Sequence, residues 1–399
     1  MSDFSKEEII MFNETVAGFN DMLSITERIG VWSESDVTWE RSDNVIRRPV
    51  PYIVPSFDGT DMTNNFNGQV QLTVPAVLDT NKSVPWILEP GEARDSLQQD
   101  RLRTAAMKRL ASDINIKALD VATLQGTLVV PISTAAGTYD DIAQADSIMN
   151  ETGVDSMYDR YFGLNSRDYN GMAGDLAQAS RSFGNKTSDN ALQKGVIPNV
   201  ADFEMFKMDY SNSIPAAGGS SLTIDTQAAA SNYYTPISKS TAATGQTSNV
   251  DNRYQVVTIS ATTNVVAGDC FTIAGIDGLS HQSKRSSAQL KTFRVISVDS
   301  GTTMTISPPI VSNQGGSQSE IQYKNVEVTE SATAAIVFLN TTAALANPFW
   351  SKDAIELLPG RYASPSDAGT PVLRDRTENG IEVEFSKFYD INTKKIKYR

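Results

Sequence analysis

An α+β body with one long spine helix, an extended loop ahead of it and a small all-β domain, barrel or sandwich, inserted behind it is the architecture this sequence predicts. Three observations predict it. Leu102, Ala106, Leu110 and Ile114 recur at spacings of four in the clearest helical stretch of the chain. Gln69-Val70-Gln71-Leu72-Thr73-Val74 alternates with the period of two that a strand requires. Short alternating runs then crowd together between Tyr254 and Ser307, flanked on both sides by long-helix signals and containing none.

The elements follow in chain order. Residues 1–30 form an arm: Ser5 and Glu8 have capping-box spacing, and Ile9, Phe12, Val16, Phe19 and Leu23 make an apolar stripe. An ordinary core-facing helix is the first reading of such a stripe; an arm laid on another subunit is the alternative, which its terminal position favours slightly. Residues 31–88 form an extended flap. Pro49, Pro51 and Pro55 deny it central-strand ladders, Phe57-Asp58-Gly59-Thr60-Asp61 supplies a turn, and Arg47-Arg48 reads as an edge-strand gatekeeper or a subunit contact. A long hairpin is marginal alone, so the flap must lie on its own body or on a neighbour.

Residues 89–130 hold the spine. Opened by Pro90-Gly91-Glu92 and running to Gly126, roughly 33 residues at 1.5 Å each give a rod of about 50 Å. The four-residue spacing drifts away from a coiled-coil repeat. Residues 131–214 are an α+β lobe. Thr138 caps a helix through Ile142, Ala145 and Met149 that Gly153 closes; Met157 to Leu164 is extended; Asn165 or Ser166 caps a further helix, and helical or turn segments follow from Asp189 to Lys194. Residues 215–327 are the β-insertion, with strands Tyr254–Ser260, Cys270–Ala274, Thr292–Val298 and Met304–Ser307 and turns at Gly268-Asp269, Gly275–Gly278 and Ser300-Gly301. Residues 328–399 return to the body through helical Ser331–Leu345 and Phe349–Ile355. They end on strands Ile381–Tyr389 and Ile396–Arg399, the last reading as unfinished.

Composition excludes several classes of function. A chain of 399 residues exceeds what one core serves. No run of eighteen apolar residues exists to span a bilayer, and the N-terminus lacks the pattern of a secretory signal. A single cysteine, Cys270, forbids an intramolecular disulfide and suits a reducing cytoplasm. The net charge of −13 opposes a protein that grips nucleic acid through its backbone.

Chemistry is equally thin. His281, the one histidine, sits in a polar loop far from any G-x-S-x-G elbow. Cys270 lies on an alternating strand, where a buried thiol is the ordinary reading. No phosphate-binding glycine motif and no paired His or Cys spacing for zinc occurs. Asp140-Asp141 falls in the first turn of a helix, where the macrodipole accounts for it. Catalytic residues, cofactors and metals are therefore all expected to be absent.

Val250-Asp251-Asn252-Arg253-Tyr254, Val257-Thr258-Ile259-Ser260-Ala261-Thr262-Thr263, Ala267-Gly268-Asp269, Phe293-Arg294-Val295 and Ile306-Ser307-Pro308 resemble the inserted domain of coat proteins from short-tailed Salmonella-type phages. Ile87-Leu88-Glu89 through Lys108-Arg109-Leu110-Ala111 to Leu128-Val129-Val130, and Asn347-Pro348-Phe349-Trp350-Ser351-Lys352-Asp353-Ala354-Ile355, are similar in the same order. The resemblance implies the tailed-phage major capsid fold, called the Hong Kong 97 type, with arm, extended loop, spine helix and inserted barrel. It implies a shell protein forming pentamers and hexamers of itself, working with a scaffolding protein and a portal protein. The shell would package double-stranded DNA non-specifically, without a membrane, and would be assembled in the bacterial host cytoplasm into the virion capsid. Hinge-like changes would fall at Pro90-Gly91 and in the arm, and removing residues 1–30 would abolish closed shells while leaving a folded monomer.

The candidate subunit contacts are Phe12 and Phe19 on the arm, Arg47, Arg48, Phe57 and Asp58 on the flap, and Lys239, Asp251 and Arg253 around the loop from Tyr233 to Asn252. Only Lys239 is charged between Thr235 and Val250, so that loop points to polar or steric contact and not to salt bridges. Two other readings stand beside a phage shell: a cellular compartment shell of the same fold, and a β-rich tail or adhesin component.

Overall fold

The computed structural model describes residues 4, 6–32, 45–54, 56–63, 66–78, 80–89, 91–92, 96–132, 135–154, 159–179, 195–197, 199–219, 221–225, 234–327, 333–361 and 371–399. They fall into two compact units, one of residues 1–46, 77–119 and 352–399, the other of residues 47–76 and 120–351.

The first unit is a helical layer on a terminal sheet. Helix α1 (Lys6–Met22) is followed by a single 3-10 turn at Thr26–Arg28. Helix α2 (Ser96–Gln125) is the spine; it runs into the second unit from Asp120 onward and at 1.5 Å per residue is about 45 Å long. Phe19 and Leu23 of α1 close a small core with Ala111 of α2, and Met107, Leu110, Ile114, Ile381 and Val383 pack around it. Phe12 stacks on Phe385 with ring centroids 6.2 Å apart, and Phe385 also meets Phe4, Trp86 and Tyr398. Two backbone carbonyls of α1 are taken by α2 side chains, Met11 O by Arg103 and Met22 O by Asn115. The terminal sheet runs Val372–Arg376, Glu382–Asp390, Lys395–Tyr398, Trp86–Leu88 in spatial order, antiparallel throughout. Ile396–Tyr398 therefore pairs on both sides.

The second unit holds two cores. In one, helices α3 (Tyr139–Thr152) and α4 (Ser166–Ala179) accompany a three-stranded sheet of Phe349–Ser351, Arg160–Asn165 and Glu204–Met208. Thr138 and Asp141 form a reciprocal capping box on α3, and Gly153 ends it at φ 91°, a conformation glycine adopts without strain. The Asn165 side chain accepts from the backbone N–H of Arg167 and Asp168, each at 3.0 Å, and so starts α4. Ile142, Leu164, Met172 and Phe203 are fully buried between these layers.

The other core is the inserted barrel. Gln255–Thr258, Thr303–Ser307, Ser286–Val298, Cys270–Leu279 and Ile336–Phe338 lie side by side, each antiparallel to the next. The short segment Leu222–Ile224 bridges the two edges, Thr223 to Ala335 and Ile224 to Ile259, and so closes the sheet on itself. Phe271, Phe293, Ile273, Val295 and Ile306 fill the interior without measurable exposure.

Five expectations are corrected. Residues 333–345 are not helical: Ile336–Phe338 is the last barrel strand, held by pairing to Phe271–Ile273, and Ala344–Leu345 pairs with Ser213–Ile214. The barrel therefore extends past the edge expected at residue 327. Phe349–Ser351 is a strand on Arg160–Phe162, with only a 3-10 turn at Lys352–Ala354. Gly275–Gly278 is no turn; the strand continues to Leu279, absorbing Gly275 at φ 81° where the register slips. Among the described residues of the flap, Val45–Pro49 pairs with Thr73–Val77 and Trp86–Leu88 joins the terminal sheet, so Gln69–Leu72 precedes the strand. The expected segment from Asp189 to Lys194, and Pro90 of the expected hinge, lie outside the described residues.

Candidate assembly surfaces

Two elements of the second unit have no core of their own. The first is a hairpin in which Lys239–Thr241 pairs with Thr247–Asn249. Gly245 turns it at φ 82°, with its N–H given to Ala242 O, and Ala242 N–H bonds to Gln246 O. Every residue from Lys239 to Asn249 is exposed. Its Ser, Thr, Ala and Gln content leaves no apolar face to fold against the body.

The hairpin base is held firmly. Tyr234 N–H donates to Ile310 O at 2.9 Å, and Thr235 Oγ1 donates to the buried carboxylate of Glu320. Asp251 and Arg253 form a two-point ion pair, 3.0 Å from Nε to Oδ1 and 2.6 Å from Nη2 to Oδ2, and the guanidinium lies 5.1 Å over the Tyr254 ring. Hydrogen bonding to Asp251 raises the pKa of Arg253 above its ordinary value. These two residues serve each other.

The flap is the second element, and it leans on the same base. Thr73 N–H donates to Ser238 Oγ at 3.0 Å and Asn252 Nδ2 donates to Thr73 O at 3.1 Å. Helix α5 (Gln318–Tyr323) holds the neighbouring stretch: Val70 N–H donates to Gln322 Oε1, Gln322 Nε2 to Gln69 Oε1, and the Tyr323 hydroxyl to Val70 O. Beyond these anchors Tyr52, Val54, Phe57 and Phe66 stand exposed, Phe66 to 86%. Exposed large apolar side chains on one segment mark it as a candidate interaction surface.

The barrel also seizes the end of the spine. Arg294 Nε donates to Gly126 O, the carbonyl just past the helix end, at 2.6 Å, and Thr292 Oγ1 donates to Thr127 O beyond it at 2.6 Å. Asn212 Nδ2 adds a bond to Asp120 Oδ1 at 2.7 Å.

The predicted contact residues separate accordingly. Phe12 and Phe19 are buried inside the chain, so α1 is a core-facing helix in this structure and its apolar stripe is not offered to a neighbour. Arg47, Phe57, Asp58 and Lys239 are exposed, Arg48 is half-buried, and Asp251 and Arg253 are joined to each other. Sequence reasoning missed the anchors Gln322, Tyr323 and Glu320. They lie far along the chain from the flap, and no local pattern marks them.

Cys270 is buried, its Sγ 3.4 Å from Gly268 O, and burial raises the thiol pKa, which opposes a nucleophilic thiolate. His281 is tied through its backbone N–H to Thr152 O. Among the described residues no His, Cys, Asp and Glu cluster could hold a metal ion, and no helix is long and apolar enough to cross a membrane.

Comparison with known proteins places the chain. The family model "P22 coat protein - gene protein 5" matches residues 2–399. Among solved structures, the CUS-3 coat protein I-domain is 31% identical over 31% of this chain and 99% of that domain, at a TM-score of 0.22. A Mycobacterium phage Che8 structure is 12% identical over 70% of this chain and 82% of that one, at a TM-score of 0.36. A cyanophage P-SCSP1u capsid structure is 13% identical over 84% and 86%, at a TM-score of 0.31.

Proposed function

Because the chain belongs to the P22 coat protein family, we propose that its exposed flap and hairpin are the surfaces through which its copies join. It is a major capsid protein: copies self-assemble into the icosahedral shell of a phage virion, and the family is structural and non-enzymatic. The tailed-phage capsid fold of the Hong Kong 97 type accompanies that membership.

Within the shell, copies form pentamers and hexamers. The flap, with Tyr52, Phe57 and Phe66, lies over an adjacent copy, and hairpin 239–249 meets a copy beyond it. The observation that carries this reading is the pairing of complete exposure with a rigid base: no described residue covers the hairpin, yet hydrogen bonds and an ion pair fix its root and the adjoining flap. Many weak contacts per copy add to a strong assembly. A precursor shell forms around a scaffolding protein in the host cytoplasm and expands as double-stranded DNA enters through a portal. The acidic chain supports non-specific enclosure of that DNA over gripping it.

Electron microscopy of the expressed chain, alone and with a candidate scaffolding protein, tests this. Closed particles of uniform diameter are expected, and removal of residues 242–246 should prevent them without unfolding the subunit. Normal particles from that deletion would remove the hairpin from the mechanism.

A further inference from the structure

Around one strand of the barrel, several cations lie close together and form no ion pair among the described residues. The chain turns from Ser280 to Arg285, with Ser280 N–H donating to Arg285 O and Lys284 N–H to Ser280 O, each at 3.0 Å. Lys284 stands at φ 54° and sends its Nζ to Lys324 O at 2.9 Å. Leu279 N–H bonds to Asn325 O, and Gly278 bridges Val326, so the Lys324 segment borders this strand. On its other side Lys291 Cβ lies 3.9 Å from the position a Gly278 Cβ would take. Lys284, Lys291 and Lys324 thus surround a strand that carries no side chain at Gly278, with His281 and Arg285 on the turn itself.

Several other cations of the described residues pair with acids. Arg253 pairs with Asp251, Arg374 with Glu384, Lys387 with Glu8, Lys395 with Glu89 and Lys397 with Asp390. Among the described residues Lys284, Lys291, Lys324 and Arg285 make no ion pair, although Asp277 and Glu327 are close in the chain. The lysines feel the crowding: burial, with Lys291 and Lys324 adding to it, lowers Lys284 to about 8, and burial lowers Lys291 to about 8. Like charges gathered and partly desolvated cost stability. A chain with 47 acidic and 34 basic residues has ample carboxylates to prevent this.

We propose that this turn is a docking site for an exposed carboxylate of a second copy of the chain, with Lys284, Lys291 and Lys324 receiving it in the assembled shell. The inference rests on the shell reading. Complementary charge fixes partner and register in an interface, and a net charge of −13 makes each copy an abundant source of acids. A nucleic-acid groove needs a broad basic surface, and this cluster is confined to one turn and its two neighbouring segments.

Zero-length carbodiimide coupling on shells assembled from equal amounts of unlabelled and 15N-labelled chain tests the site. Peptides joining Lys284, Lys291 or Lys324 to an Asp or Glu of the opposite isotope are expected in shells and absent from monomers. Shells that form but give only same-chain links, or none, overturn the site and leave the shell reading intact. Protection of these lysines only when DNA is enclosed, with no mixed-isotope link, overturns it in favour of nucleic acid. Failure of the unmodified chain to form any shell overturns both. A second measurement guards against a purely structural role: Lys291→Gln with Lys324→Gln should slow shell formation about tenfold at low salt, with the difference vanishing at high salt, and should not lower the Tm of the monomer. A lowered Tm that tracks the loss of assembly would assign the lysines to folding instead.

Discussion

The inserted barrel and the hairpin it carries are adjacent in sequence and opposite in construction. The barrel turns Val257, Phe271, Phe293, Met304 and Ile306 inward until none is exposed, and its edges are bridged by Leu222–Ile224. The hairpin exposes every residue from Lys239 to Asn249 and pairs regularly only with itself. One region finishes its own burial, and the other postpones it. The difference separates stability from assembly within a single polypeptide. Substitutions in the first region should be felt by the monomer, and substitutions in the second only by the shell.

The largest test of that division is Phe293→Ala. Removing a fully buried aromatic ring that stacks on Phe271 at 5.7 Å should cost about 3–5 kcal/mol, read as a lowered denaturation midpoint of the subunit in urea. A loss under about 1 kcal/mol would mean the barrel core is not what holds this unit. Next is Arg294→Met, which keeps the bulk but surrenders the bonds to Gly126 O and Gly268 O. It should cost about 1–3 kcal/mol, and hydrogen exchange should quicken at the end of α2. Unchanged exchange there would detach the barrel from the spine.

A smaller effect is expected from Arg253→Ala. The guanidinium is half-exposed, so its loss should lower stability by about 0.2–1 kcal/mol and shift the midpoint slightly. Smallest of all for the monomer is Phe66→Ala, at 86% exposure. Its subunit stability should stay within about 0.5 kcal/mol of the parent, whereas shells should dissociate at lower denaturant. If Phe66→Ala instead destabilised the monomer, the flap would belong with the barrel and the comparison would fail.

Local signals were readable from the sequence, and long-range pairings were not. Thr138, Asp141 and Gly153 define α3 because a cap acts within a few residues of itself, and Asn165 marks α4 for the same reason. Leu102, Ala106 and Leu110 show the spine, since a thirty-residue helix repeats its pattern many times. Ser331–Leu345 misled because its alanines favour a helix, while Ile336–Phe338 is recruited by strand residues at 271–273. Gly275 misled because a bulge can absorb the positive φ that usually announces a turn. Of the contact residues, Phe12 and Phe19 failed because amphipathic spacing tells which face is apolar and not what covers it. That correction alters an expectation: taking away residues 1–30 would strip Phe19 and Leu23 from the core they share with Ala111, so the monomer should not remain fully folded. A loop from Tyr233 to Asn252 is expected only from the resemblance, and its pairing as a hairpin is not read from the residues. Its tie to the flap through Ser238, Asn252 and Thr73 is not legible either, as nothing in one sequence couples positions so far apart.

The last strand of the barrel, Ile336–Phe338, has a consequence in time. Chains are synthesised from the N-terminus, so Cys270–Leu279 emerges from the ribosome well before the strand that will cover its outer edge. Until Phe338 has been made, Phe271, Thr272 and Ile273 present unpaired backbone at an open margin, the arrangement through which nascent chains join one another. The rate at which a ribosome travels from residue 279 to residue 338 therefore sets how long each chain is open to pairing with the wrong strand.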